Sequence, residues 1–278
     1  GTFIHAFPFI QQDWDWSSYR IMGVLQRIAL AYGIAAIMVI HLDLKKIFIS
    51  ALGILLAYWG ILWIGGGEDP YSLEHNLIRK IDIFLLGESH LYGGTGIQFD
   101  PEGLLSTIPS VVTVLIGYLV GSMLHTTKDF LDNVKRMSTF GIGLIIVGII
   151  WGLLFPINKQ LWTSSYVLFT GGIATLILSS LCFMIDIKKW KKPLWVFQIF
   201  GTNSIFLFVL SGLWTKIILR LRFDLEGQSI SGYGYLYKTL FVPIGGDMFG
   251  SFLFAFAHLV GFWLILLWLY RKKIFINL

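Results

Sequence analysis

Seven stretches of this chain are long and apolar enough to cross a membrane, at 21–40, 47–64, 104–124, 139–155, 164–185, 194–219 and 248–270. A hydrocarbon core of about 30 Å is crossed by about 20 helical residues. Within lipid the backbone must bond to itself, so each run is expected to be a helix, and the period-two alternation of outer-membrane strands is absent. Composition agrees, since 56% of the 278 residues are apolar and only 13% are charged. That is about half the charged share of an ordinary soluble domain, near 25%. The expected fold is all-α, a polytopic transmembrane bundle of about seven spans. Gly117 and Gly121, and Gly141 and Gly143, lie inside spans, where small residues let helices approach. With no internal repeat, one domain is expected over 1–278, and within it a long extracytoplasmic loop at 65–103.

The charges then fix a sidedness. Lys45 and Lys46, then Lys128, Lys135 and Arg136, then Lys188, Lys189, Lys191 and Lys192, and finally Arg271, Lys272 and Lys273 all fall on one side if every run crosses once. The opposite side receives the acidic 65–103 loop, with Glu68, Asp69, Glu74, Asp82, Glu88, Asp100 and Glu102 against Arg79 and Lys80. The excess of Lys and Arg on cytoplasmic loops places the N-terminal side outside and the C-terminus in the cytoplasm, in a multi-pass protein of the inner (plasma) membrane. The absence of an Asn-x-Ser/Thr sequon favours a bacterial protein over a secretory-pathway one. The lone Cys182 excludes an intrachain disulfide. The chain begins without Met, and residues 1–10 are apolar but too short to span, so they are expected to end an earlier helix of a truncated protein.

Several polar groups sit where lipid makes them costly. Arg27 lies about two turns into the first run, beside Gln26, and a charge there costs about 2.5–3.5 kcal/mol on insertion scales. It either pairs with a carboxylate of a neighbouring helix or serves as an anion site, which guanidinium suits. Asp100, Pro101 and Glu102 read as the start of a helix, with Asp100 as N-cap; a carboxylate there could also take a proton from an amine. The hairpin from Asn158 and Lys159 through Trp162 to Ser165 and Tyr166 carries more hydrogen-bonding groups than an interface anchor needs. Asn203 is inside the sixth run, bonding another helix or a polar ligand. His90 is in the polar outer loop, whereas His5, His41, His75 and His125 read as loop or interface residues. His258 lies in the middle of the seventh run, as a site candidate or a helix-to-helix hydrogen bond. There is no metal-ligand spacing and no phosphate-binding glycine loop, so neither a metal nor a nucleic-acid partner is expected.

Four motifs, in order, carry a resemblance. Arg20 to Arg27 resembles the RIPGVLQR segment of the heparan-α-glucosaminide N-acetyltransferase family, with Met22 where the family has Pro. Asp100 to Gly103 is similar to its DPEG segment, Asn158 to Val167 to its NKxLWTxSYV segment, and Asn203 to Ile205 to its NSI. The resemblance implies a membrane acyltransferase in which acetyl-CoA, as co-substrate from the cytoplasm, acetylates the nitrogen of an amino sugar on the far side. On the motif positions it implies donor- and substrate-binding roles for Arg20, Gln26, Arg27, Asp100, Glu102, Asn158, Lys159, Trp162, Ser165, Tyr166 and Asn203; His90, from the outer loop, is a further binding candidate on its position, and His258 a weaker one. It places the family's catalytic histidine ahead of Gly1, so the fragment is expected to be inactive alone. Trp162 or Asn203 would then stabilise the oxyanion. The partners implied are the lipid bilayer and an amino-sugar acceptor, and a homodimer fits too. Two rivals remain: an O-acetyltransferase of envelope glycans, and a transporter of a sugar or lipid intermediate, whose sign would be internal repeats.

Overall fold

A computed structural model of the chain describes residues 16–124, 126–192 and 194–276. The expectations for residues 1–10, His5 and His125 lie outside these. The described residues are helical apart from loops and one short hairpin. Among the described residues six helices are long and apolar enough to cross a membrane, or seven if one bent pair counts as a single span. The described residues divide into two compact units, 16–189 and 190–276.

The first unit holds α1 (Val24–His41), α2 (Leu44–Gly65), the short α3 (Leu77–Leu86), α4 (Leu104–Met123), α5 (Phe130–Gly152) and α6 (Ser164–Cys182), which runs on into a π-helical turn at Phe183–Ile187. At its centre is α4. Val111, Val112, Leu115, Ile116 and Leu119 pack among Ala31 and Ala35 of α1, Ile47, Ala51 and Leu55 of α2, Met137 of α5, and Val167 and Leu168 of α6. The outward faces stay apolar, as at Ile37, Ile64 and Ile150, which is what a lipid solvent requires. Helices α5 and α6 meet at Gly141 and Gly172, where a Cβ on either would press on the other's carbonyl oxygen.

The expected span at 139–155 starts earlier, at Phe130. The Asp129 carboxylate caps α5 by accepting the Leu131 amide at 2.9 Å, and Asp132 pairs with Arg136 one turn on at 2.8 Å. These local polar contacts wind two further turns that a hydropathy run does not register. Because α1, α4 and α6 start, and α2 and α5 end, at one end of this unit, the loop at 65–103 and the hairpin at 153–163 share that end. Lys45, Lys46, Lys128, Lys135, Arg136, Lys188 and Lys189 fall toward the other.

The second unit holds α7 (Trp195–Thr202), α8 (Ser204–Arg220), an antiparallel hairpin of β1 (Arg222–Leu225) and β2 (Gln228–Ser231), α9 (Gly232–Leu236), a π-helical turn at Tyr237–Phe241, and α10 (Val242–Arg271). Two expectations are corrected here. The run at 194–219 is not one straight helix: α7 and α8 meet at Asn203 with a 75° bend. Asn203 leaves helical geometry because its amide serves the C-terminal segment, donating to the Ile274 carbonyl at 3.1 Å and accepting from the Ile276 amide at 2.7 Å. The run at 248–270 is the last part of a 40-residue apolar helical stretch from Gly232 to Arg271, interrupted at Gly245 and Gly246. Gly246 has φ +69°, a conformation that a residue with a Cβ adopts only at a cost.

Candidate functional site

The shared end of the first unit collects charged groups around the start of α4. Three carboxylates and two guanidiniums meet there, in two layers.

The outer layer is an ion-pair cluster. Arg20 donates from Nη2 to Asp100 Oδ1 at 2.7 Å and to Glu102 Oε2 at 2.7 Å, and from Nε to Asp100 Oδ2 at 2.9 Å. Its guanidinium lies 4.6 Å from the centre of the Tyr92 ring. Burial by itself would lower the Arg20 pKa, but the hydrogen bonds and charges of Asp100 and Glu102 carry it above its ordinary value. His90 orders the adjacent loop by donating from Nδ1 to the Tyr19 carbonyl at 2.7 Å.

The inner layer centres on Arg27, which is 5% exposed. Nη2 donates to the Pro101 carbonyl and to Ser106 Oγ, and the Trp162 ring covers one face of the guanidinium at 4.7 Å. Arg27 therefore ties the Asp100–Gly103 turn to the Trp162 hairpin, two segments that are distant in sequence. Arg27 thus faces the interior with polar partners, as expected, while of its two alternative roles the ion pair is made by Arg20, seven residues earlier. Beside Arg27, Gln26 donates to the Ile21 carbonyl at 3.1 Å.

Asp100 does not cap α4. Its Oδ1 accepts the Glu102 amide at 2.9 Å, folding residues 100–103 into a turn, and the helix starts only at Leu104 with the side-chain-less Gly103 at its N-cap. The cap comes from α3: Asp82 Oδ1 accepts the Leu104 amide at 3.0 Å. A Cβ on Gly103 would collide with Oδ2 of Asp82, so glycine is what lets the carboxylate approach. Burial raises the Asp82 pKa to about 6, against the amides of Leu104 and Leu105 and the nearby Arg27, which pull it down. In the sequence Asp82 is one charge of an acidic loop. A signal was present, since Asp82 stands between Ile81 and Ile83 at a position one helical turn after Ile78, on the face that α3 buries.

The hairpin at 153–163 is built mainly by its own polar groups. Asn158 Oδ1 accepts the Gln160 amide at 2.8 Å and the Leu161 amide at 3.3 Å, Ser165 Oγ donates to the Phe155 carbonyl at 2.5 Å, and Thr163 caps α6. Tyr58 of α2 donates to the Leu161 carbonyl at 2.6 Å. Trp162 has φ +50°, a left-handed conformation costing of order 1–3 kcal/mol in a non-glycine residue. The surrounding bonds hold it there, and its indole N–H donates to Thr113 Oγ1 at 3.3 Å rather than standing free. Trp162 and Tyr166 line a cavity of about 350 Å³ between α4 and α6, together with Thr113, Thr170 and Thr175. Lys159 is exposed. Asp100, Glu102 and Trp162 are thus joined through Arg20 and Arg27, while Asn158 is spent within its own turn.

Asn203 and His258 belong to the second unit. The amide of Asn203 is occupied by the 274–276 segment. His258 donates from Nδ1 to the Phe254 carbonyl at 2.9 Å, its ring set among Phe254, Tyr233 and Trp214 at 4.4, 5.9 and 6.2 Å.

No family model matches the chain. Two curated proteins are similar to it, heparan-alpha-glucosaminide N-acetyltransferase of Homo sapiens and the protein of the same name of Mus musculus. Each is 29% identical over 250 residues, covering 70% of this chain. The chain is a distant relative of that family, and it spans 37–38% of the length of the two relatives.

Proposed function

We propose that this chain is the membrane-embedded part of an acetyltransferase, moving an acetyl group from acetyl-CoA to the nitrogen of an amino sugar across the inner membrane. The distant relationship to two N-acetyltransferases of a glucosaminide carries the proposal. It is supported by the collection of the resembling motifs 20–27, 100–103 and 158–167 into one polar centre. The two compact units are taken as parts of one acyltransferase-like domain. With the Lys- and Arg-rich end cytoplasmic, the Arg20–Arg27 centre faces outward, toward the acceptor.

The chemistry needs an amine and a thioester brought together in a site that excludes water. The amine lone pair attacks the acetyl carbonyl, a C–N bond forms, the C–S bond breaks, and the amine proton passes to a base while the thiolate of CoA is protonated as it leaves. Arg20, Asp100 and Glu102 would hold the acceptor's hydroxyls, and Trp162 and Tyr166 would present aromatic faces to its ring. Arg27 would stabilise negative charge developing on oxygen. The same proposal gives Gln26, His90, Asn158, Lys159 and Ser165 supporting roles in shaping this mouth; Asn203 and His258 would serve through the second unit.

The test is the full-length protein in sealed vesicles, with labelled acetyl-CoA on the basic face and glucosamine on the other. N-acetylated product is expected, and Arg20→Gln and Trp162→Ala should each lower its rate at least about tenfold, as the loss of one positioned group does. O-acetylated product would move the assignment to the glycan O-acetyltransferases. Unmodified sugar crossing with no acetyl-CoA consumed would replace the enzyme by a transporter.

A further inference from the structure

Around the first turn of α4, internal hydrogen bonding leaves two charged groups partly unused. The N–H bonds of Arg27 Nε and Nη1 are buried with no partner among the described residues, and so is Asp82 Oδ2. Arg27 is 5% exposed and Asp82 0%. Buried polar atoms are nearly always satisfied, and an unsatisfied one in a native fold calls for a reason. Arg27 and Asp82 grip the same turn, Arg27 through Pro101 and Ser106 and Asp82 through Gly103 and the Leu104 amide, yet they form no hydrogen bond with each other. A cation with open N–H bonds at the positive end of a 20-residue helix is a pre-formed anion receptor.

A cavity adjoins it through one shared residue. Trp162, whose ring covers the Arg27 guanidinium, also lines the 350 Å³ cavity between α4 and α6. Trp162 is held there in a left-handed backbone conformation, a form of stored strain found at sites that open and close.

We propose that Arg27 is the receptor for a compact oxyanion, a carboxylate, sulfate or phosphate group entering from the cavity behind Trp162, and that Asp82 is the internal counter-ion that controls its affinity. An ionised Asp82 already balances the guanidinium and repels the incoming anion. A protonated Asp82 leaves the whole of Arg27's charge to the ligand. The charged or titratable groups around Asp82 are Arg27 from α1, Tyr58 from α2, and Asp100 from the turn before α4. Glu102 also acts on Arg27, but it and Asp100 are balanced by Arg20. Among the described residues Asp82 alone of the three carboxylates has no cationic hydrogen-bond partner, and with its pKa near 6 it changes charge in a range where sulfate does not. The anion is predicted to bind more tightly as pH falls through 6.

The experiment is calorimetric titration of sulfate into the full chain in phosphatidylcholine nanodiscs between pH 5 and pH 8. No acetyl donor is present, so the outcome is independent of whether the protein transfers acetyl groups. Wild-type affinity is expected to rise about tenfold or more from pH 8 to pH 5, the scale of removing one nearby charge. Asp82→Asn should bind at pH 8 as the wild type does at pH 5, with no pH dependence, and Arg27→Gln should not bind. Displacement of sulfate by glucuronate would identify the group as that of an acidic sugar. Loss of the sulfate site when phosphatidylglycerol is added to the disc would identify it as a lipid headgroup. Absence of sulfate binding at every pH, or an Asp82→Asn protein that keeps the wild-type pH profile, overturns the proposal.

Discussion

Gly103 and Asp82 share one space: the carboxylate of Asp82 occupies the volume a Cβ on Gly103 would need, and it accepts the Leu104 amide at 3.0 Å. The central helix of the first unit is therefore capped by a side chain from another helix. Gly103 has φ −63°, which alanine adopts freely, so in the absence of Asp82 the change Gly103→Ala would stabilise by about 0.4–1 kcal/mol. With Asp82 in place, Gly103→Ala is expected to expel the carboxylate and destabilise the protein by on the order of 1–3 kcal/mol. Thermal unfolding in detergent decides it, and a rise in Tm would show that Asp82 is not the cap.

Asp82 should also leave its mark on stability against pH. Its folded-state pKa of about 6 lies above the ordinary carboxylate value of about 4, so folding favours the protonated form. That contribution is fully present below about pH 4 and is lost as pH rises through 6, on the order of 2 kcal/mol in all. The stability difference between wild type and Asp82→Asn should move against the wild type by that amount between pH 4 and pH 7. A difference that stays flat over this range contradicts the assignment.

Tyr58 is the bond between α2 and the turn that carries Trp162. Tyr58→Phe leaves the buried Leu161 carbonyl without its donor, at a cost of about 1–3 kcal/mol. Because Trp162 holds a strained backbone, the loosening should concentrate in residues 158–163. Hydrogen exchange should quicken there and not in the middle of α4; uniform quickening would mean that Tyr58 supports the whole unit and not this turn.

Orientation can be read with two single cysteines in a Cys182→Ser background. Lys128 and Lys159 are exposed near opposite ends of the first unit. In intact cells an impermeant maleimide is expected to label Lys159→Cys and spare Lys128→Cys. The opposite pattern would turn the Arg20–Arg27 centre toward the cytoplasm and remove the extracytoplasmic acceptor from the proposed function.

The sequence alone determined the solvent of this protein, and with it the fold class. Runs of about 20 apolar residues and so few charges leave helices as the means of satisfying the backbone in lipid. It also singled out Arg27, because a charge within lipid is costly, Asp100, Glu102 and Trp162 as polar or aromatic groups of two loops, and Arg20 through the motif it opens. What each of them does was a tertiary matter. Local preference read Asp100 as an N-cap, but a guanidinium from a segment 80 residues away claimed that carboxylate and shifted the helix start to Leu104. The true cap, Asp82, was hidden because its partner amide is 22 residues further along, and an acidic residue in a polar loop reads as solvated until packing buries it. The break at Asn203 escaped the hydropathy run for the same reason: it depends on backbone groups at Ile274 and Ile276, some 70 residues on. Periodicity and hydropathy register the solvent a segment faces, whereas the pairing of its polar groups is settled only where distant segments meet.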